Sequence, residues 1–343
     1  MNITTTTWER DAATLEKVWG IHLPGAQKYI NRANDADLST PLTTANNGIP
    51  AQFTTLVDPE LIKILVAPVR AAEIYGEMQR GTWIDKTMMF KVEEYAGSVS
   101  AYGDFNTNGR ANININYPQR QQFIYESSAE WGDQEQSTDS LIGINTATEK
   151  RNAVALLFAK TQNRIYFYGI QGLQTYGTLT DPNLPSPIQP TQKASGSYSW
   201  EDATPLEIYN DVLMLVKNLM NRTKGILTSM DYSDTMTLAV SSNSLAMLSK
   251  ANDFGLLPET LIQKRFPNMR IMSAPELSTE ARELVQLFID SYLGTRTFTC
   301  GFSEKFRSHG IVRQFKSFHE TFSQGSWGSL LKRPILVTQM LGV

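Results

Sequence analysis

GSVSAYGDFNTNGRANININYP, residues 97–118, is a polar, Gly- and Asn-rich stretch with no core of its own, and its reading decides the fold. From Asn112 to Tyr117 the chain alternates strictly: Ile113, Ile115 and Tyr117 fall on one side, Asn112, Asn114 and Asn116 on the other. That is the period of a strand. Asn108-Gly109 supplies turn chemistry ahead of it, and Val99, Ala101 and Phe105 supply apolar positions on the opposite leg, so a β-hairpin is expected. A two-residue loop would set Phe105 against Asn112 and mix the faces. A three-residue loop with Gly109 in a left-handed bulge sets Phe105 against Ile113 and Ala101 against Tyr117, and this register is the expected one.

Continued outward to about Lys91 and Phe123, each leg would reach roughly 35 to 45 Å at about 3.3 Å per residue. An isolated two-stranded ribbon is marginal in water. One this long, with half its side chains apolar and little local sequence to cover them, is expected to find its cover on another subunit. Tyr102, Phe105, Ile113, Ile115 and Tyr117 are the candidate apolar interface residues. Arg110 and Arg120 are the candidate ion-pairing ones, because a planar guanidinium favours bidentate pairs across interfaces.

The rest of the chain can build a sizeable body. It has 343 residues, 41% hydrophobic and 19% charged, which suits about two domains without staples. Lys and Arg total 31 against 34 for Asp and Glu, so the net charge of −3 gives no basic field for a phosphate backbone. Sequence-specific nucleic-acid binding is not expected. The single cysteine, Cys300, excludes intramolecular disulfides and multi-cysteine metal sites, and suits a small buried apolar residue in a reducing compartment. The start MNITTTTWERDAATLEKVW has neither a basic run nor an apolar core of signal-peptide length, and no stretch approaches the roughly 18 apolar residues of a membrane span. A protein made in the cytoplasm, with no membrane partner, is expected.

Residues 1–54 are rich in Thr, Asn and Ala with widely spaced Trp8, Trp19 and Tyr29, and cannot form a core. The aromatics favour a strap laid over the same or an adjacent subunit instead of a disordered tail. Residues 58–77 suit a helix opening at Asp58-Pro59 and kinked at Pro68. Met88, Phe90 and Val92 alternate as a strand leading into the ribbon, and Phe123 and Tyr125 mirror it on the way out. A single long helix is expected over about 139–167, begun by the N-cap residues at 137–139 and about 43 Å long at 1.5 Å per residue. Ala147, Val154, Leu157, Phe158 and Ile165 form its apolar stripe, and Gly169 and Gly172 end it. Residues 177–198, rich in Pro, Gly, Thr and Ser, are expected to be a surface loop.

A compact α/β block follows. Thr204-Pro205-Leu206-Glu207 is a capping box with Pro at the first helical position, and Ile208, Val212, Leu215, Val216 and Leu219 give the buried face of its helix. Residues 235–240 are expected to be a central strand, with 241–243 capping a short helix. A second short helix is expected at 258–265, with strands at 269–272 and 283–289. Residues 311–318 alternate like a strand, and 335–337 is a terminal apolar run.

This order resembles the Hong Kong 97-type fold of tailed-phage major capsid proteins over nearly the whole chain. The likeness is carried by the 97–118 arm, the rod NTATEKRNAVALLFAKTQNRIYFYG and the block TPLEIYNDV…TLAVSSNSLAML. It implies an α+β chain with an N-terminal arm at 1–54 and a peripheral domain at 55–169, the latter including an extended loop at about 85–130 and a spine helix at about 139–167. An axial domain at 170–295 and a return to the peripheral domain at 296–343 complete it. The resemblance further implies hexamers and pentamers closing into an icosahedral shell around double-stranded DNA, touched without sequence preference. It places the protein in the virion after assembly in the host cytoplasm. Some members cross-link through a lysine on the extended loop. Here no lysine lies between Lys91 and Lys150, so contacts or cement proteins are expected to hold the shell. With about 54 residues ahead of the first helix, a separate scaffolding protein is expected, together with a portal. The loop tips at 178–195 would line the centre of the capsomer.

Catalytic signatures are absent: there is no phosphate-binding G-x-x-x-x-G-K-[ST], H-E-x-x-H, G-x-S-x-G or G-x-G-x-x-G. His22, His309 and His319 lack metal-ligand spacing, though His309 and His319 lie near Glu304 and Glu320. Glu93-Glu94 and Glu126 with Glu130 are expected to be solvated or paired instead of acid/base partners. Neither a cofactor nor enzymatic activity is expected. The alternatives are a nanocompartment shell of the same fold enclosing an enzyme, a tail or adhesion protein (which should show repeats), and an α/β enzyme with a site near 241–243.

Overall fold

Thr204 begins the best-specified element. In the computed structural model, which describes residues 69–102, 104, 109–142, 145–224, 236–251, 255–279 and 282–343, its side chain accepts from the Glu207 backbone N–H and Glu207 reaches back to the Thr204 N–H. The helix so capped runs Pro205–Arg222 and buries Ile208, Val212, Leu215, Val216 and Leu219, as its sequence requires. It packs on a four-stranded sheet with Val240, Leu238, Val285, Leu287, Ile289 and Met340 in one apolar core.

The elements in chain order are α1 (Ala71–Tyr75), β1 (Glu77–Gln79), β2 (Thr87–Met89), β3 (Val92–Ser98), β4 (Arg110–Asn116), β5 (Gln119–Gln121) and β6 (Phe123–Gly132). Then come α2 (Asp133–Ile142), α3 (Thr146–Tyr168), α4 (Pro205–Arg222), β7 (Met236–Val240), α5 (Ser242–Leu248), α6 (Pro258–Arg265), β8 (Arg270–Ser273) and β9 (Leu284–Ile289). Two short strands, β10 (Ser291–Tyr292) and β11 (Thr295–Arg296), precede β12 (Phe298–Arg313), β13 (Ser317–Leu331) and β14 (Val337–Leu341). One sheet has the order β1-β12-β13-β6 and the other β14-β9-β7-β8. β7 is central and fully buried, as expected.

The two sheets meet through a shared core. Tyr75 of α1 stacks on Phe288 of the second sheet and meets Phe298 of the first edge-on, with ring centroids 5.3 and 5.1 Å apart. Ala71, Ile74, Phe167, Cys300 and Leu331 belong to the same cluster. Cys300 is buried there as expected, and burial pushes its thiol pKa far up. The residues from Val66 to Val343 form one compact unit.

Four expectations are corrected. The single rod is two helices: α3 starts only at Thr146, where the Asn145 side chain accepts from the Thr148 N–H, and α2 precedes it. The cap is thus Asn145, not the polar cluster at 137–139. Within α3 the buried residues include Val154, Phe158 and Ile165 but also Gln162 and Asn163, while Leu157 is 51% exposed. Residues 311–318 are not one strand but the end of β12, a turn and the start of β13, closed by Gln314 N–H to Ser317 C=O at 2.8 Å. The terminal run does not all rejoin the first sheet, since β14 pairs antiparallel with β9.

The Pro-rich segment is no free loop. Thr178, Asp181 and Lys193 are buried, and Lys193 pairs with Asp211 of α4 at 1% and 0% side-chain exposure. The same carboxylate accepts from Trp200 Nε1 at 2.9 Å and from the Thr191 N–H at 3.2 Å, so the buried charge is fully partnered. The expected helix at 58–77 is seen only as α1, its first part lying outside the described residues.

Candidate assembly surface

β3 and β4 form the expected hairpin arm, but in another register. Tyr95 lies opposite Ile113, Glu93 opposite Ile115, Gly97 opposite Ala111 and Ser98 opposite Arg110. Ile113 therefore faces Tyr95 and not Phe105, and the ladder ends at the Ser98–Arg110 pair; the expected turn at Asn108-Gly109 lies partly outside the described residues. The cause lies at the base. β2 and β5 pair Met88 with Arg120, and the same offset carries on through β3 and β4, so a long continuous pairing outweighs one short turn. Gly97 fits this register because a Cβ there would stand 2.8 Å from the Arg110 carbonyl oxygen.

Alternation still gives the ribbon one apolar face, carrying Tyr95, Ile113 and Ile115. These are 83%, 47% and 48% exposed, so the described residues leave Tyr95 almost bare and about half of each isoleucine open. Tyr117 and Tyr102 are also exposed, the latter with its hydroxyl donating to Asp104 at 3.2 Å, and Arg110 lies open at the outer end of β4. Phe105 and the strap residues Trp8, Trp19 and Tyr29 lie outside the described residues.

Arg120 is the correction. It was expected at an interface, but it is 5% exposed and works within the chain. Its guanidinium lies over the Tyr176 ring at 4.8 Å and the Phe90 ring at 5.6 Å, and its Nη2 donates to Asp181 Oδ2 at 3.0 Å. Thr175 Oγ1 donates to the Gln121 carbonyl at 2.7 Å on the same side. The base of the arm is thereby pinned to the segment after α3. No sequence signal could have shown this, because Asp181 lies 61 residues from Arg120.

Between base and arm the ladder is interrupted at Phe90-Lys91 and Tyr117-Pro118. The Phe90 N–H donates to the Pro118 carbonyl at 3.2 Å, but Pro118 has no N–H to return.

The residues weighed for chemistry are engaged structurally. His309 Nε2 lies 2.8 Å from Ser323 Oγ and its ring meets Trp83 edge-on, while His319 Nε2 lies 3.1 Å from Thr321 Oγ1. Glu320 accepts from Arg151 and Ser308, each at 2.7 Å. The two histidines do not converge with Glu304 or Glu320, and among the described residues no group of His, Cys, Asp and Glu could hold a metal. Ser241 Oγ caps α5 by accepting from the Ser244 N–H, and Asn243 donates to Glu283. Among the described residues no helix is long and apolar enough to cross a membrane.

An exposed hairpin arm, a helix laid on a sheet of long antiparallel strands, and a second sheet block inserted after that helix together define the fold of tailed-phage capsid shell proteins. The capsid protein of Myoviridae Phage XM1 superposes with a TM-score of 0.71 at 12% identity, covering 87% of this chain and 100% of that one. The capsid of an empty GTA particle gives 0.58 at 12% identity (87% and 99%), and a chain of Gordonia phage Cozz 0.56 at 9% (88% and 98%). No curated protein matches the chain significantly by sequence. Residues 40–342 match the model of the Pa193 gp26 major capsid protein family, and the chain belongs to that family. It is a structural protein of a bacteriophage capsid shell.

Proposed function

We propose that copies of this chain form hexamers and pentamers of an icosahedral shell around double-stranded DNA, each ribbon at 92–116 lying on a neighbouring subunit. One observation carries this reading: on the ribbon's apolar face the described residues leave Tyr95 almost bare and Ile113 and Ile115 about half exposed. An isolated two-stranded ribbon is marginal in water, and a neighbouring subunit laid against its apolar face would stabilise it. The first sheet with α3 serves as the peripheral part, and the β14-β9-β7-β8 block as the axial part around the capsomer centre. Trp8, Trp19 and Tyr29 fasten the N-terminal arm to a subunit surface. The net charge of −3 suits a wall that encloses DNA without gripping it, so contact with the genome is non-specific. A separate scaffolding protein, a portal and cement proteins are the other partners, assembly takes place in the host cytoplasm, and the chain performs no catalysis.

Electron microscopy and sedimentation of the expressed protein, with and without its scaffolding partner, test the reading. Closed particles of megadalton size are expected, and monomers under every condition would sink it. An enzyme-filled nanocompartment is the rival on the same fold. The family match favours the phage shell, and nucleic acid rather than a cargo enzyme inside native particles decides between them.

A further inference from the structure

The net charge of −3 hides a local excess of cations on the first sheet. Glu77 and Gln79 lie beside Cys300 and Phe302, and Glu77 accepts from the Tyr166 hydroxyl of α3 at 2.7 Å, so these positions face the helix. By the two-residue period of a strand, Gly76, Arg80, Thr297 and Thr299 face the other way. The Arg80 N–H carries the β1–β12 ladder one step further, donating to the Phe302 carbonyl at 2.8 Å. Lys332 extends the β12–β13 ladder in the same manner. Its N–H donates to the Thr297 carbonyl at 2.9 Å, which sets its side chain beside that of Thr297. Arg296 reaches this face over Gly76, where a Cβ would overlap its Nη1.

The three cations have no partner charge. Arg270 takes Asp290 at 3.4 Å, and the other oxygen of that carboxylate accepts from the Thr237 hydroxyl at 2.6 Å. Arg296 is left without an ion pair among the described residues, and so are Arg80 and Lys332. Both arginines are exposed and Lys332 is half-buried. Burial first, then Arg80 and Arg296, lowers the Lys332 pKa, so the three stand close enough to repel one another. Beside Lys332, Thr297 is fully buried and its hydroxyl has no hydrogen-bond partner among the described residues. What this cluster lacks is an anion with several acceptor oxygens.

We propose that Arg80, Arg296, Lys332 and the Thr297 hydroxyl form a site for a phosphate group, filled by the backbone of the enclosed duplex. A guanidinium matches phosphate geometry with two parallel hydrogen bonds, and contact confined to backbone phosphates positions DNA without reading its sequence. This rests on the reading of the shell as a container for double-stranded DNA and names the place on each subunit where the wall touches its contents. Three cations per subunit make a local tether within a chain whose net charge is negative.

Fluorescence anisotropy of a labelled short duplex, titrated with the unassembled full chain over a series of salt concentrations, tests it. Arg80→Gln, Arg296→Gln and Lys332→Gln should each flatten the slope of log K against log salt by about one, and the triple variant by about three. Lys264→Gln, on the exposed surface of α6, should leave the slope unchanged. At constant ionic strength, sodium pyrophosphate should raise the melting temperature of the wild type but not of the triple variant. Matching melts without it confirm that folding is intact. An unchanged slope in the triple variant, or an equal loss in Lys264→Gln, would overturn the site while leaving the container reading intact. Pyrophosphate binding that the duplex does not compete away would overturn the genome as the source of the phosphate. Native particles free of nucleic acid would instead sink the container reading, and with it the duplex as occupant.

Discussion

The base and the outer part of one hairpin share a register but differ in everything beneath them. At the base, Arg120 is sandwiched between Phe90 and Tyr176 and paired with a carboxylate at 1% side-chain exposure. A few residues outward, Tyr95 is 83% exposed with the same strand pairing. Backbone pairing alone therefore does not decide what a strand contributes to folding; the surface under it does. The base belongs to the stability of the single chain, and the outer ribbon is available for something else.

The sharpest way to break this contrast is to replace 92–116 with a short Gly/Ser linker. Particles should vanish from electron micrographs while the monomer's urea midpoint stays put. A monomer destabilised by more than about 1 kcal/mol would mean its own body covers the ribbon. Arg120→Ala should have the opposite signature, costing the monomer about 3–5 kcal/mol in urea because Asp181 is left as an uncompensated buried charge. The double variant Arg120→Met/Asp181→Leu should recover most of that loss. Tyr95→Ser with Ile113→Ser should shift monomer stability by less than about 0.5 kcal/mol, yet reduce particle yield in sedimentation.

Thr204→Ala, far from the arm, calibrates the scale. It should cost about 1 kcal/mol through the lost cap and leave assembly unchanged. The same cap has a pH signature. The Thr204 backbone N–H, then the Ala194 N–H and the Thr204 hydroxyl, hold the Glu207 carboxyl below its ordinary 4.5. A carboxyl depressed in the folded state stabilises above its unfolded pKa and loses that contribution as pH falls through the folded value. Acid titration of the monomer should thus show a small loss below pH 4.5 that Glu207→Gln removes.

Local chemistry was legible and distant chemistry was not. The capping box, the buried face of α4 and the two faces of β4 all follow from residues within a few positions of one another. The register of β3 on β4 does not, because it is carried outward from the β2–β5 pair. The break between α2 and α3 had a signal in Asn145, masked by the stronger-looking polar cluster before it. Residues 177–198 have loop composition, yet the buried Lys193–Asp211 pair fastens them to α4. Which residues the ribbon meets was readable only as a need, which its alternation declares as an apolar face.

Pro118 has one further consequence. Because it cannot return a hydrogen bond to Phe90, the arm and its pedestal are joined by a weakened crease. Members of a closed polyhedral coat sit at five-fold and six-fold corners with unequal angles to their neighbours. In the shell proposed above, a crease at this point would let genetically identical subunits set their arms at different tilts while the clamped pedestal keeps its shape.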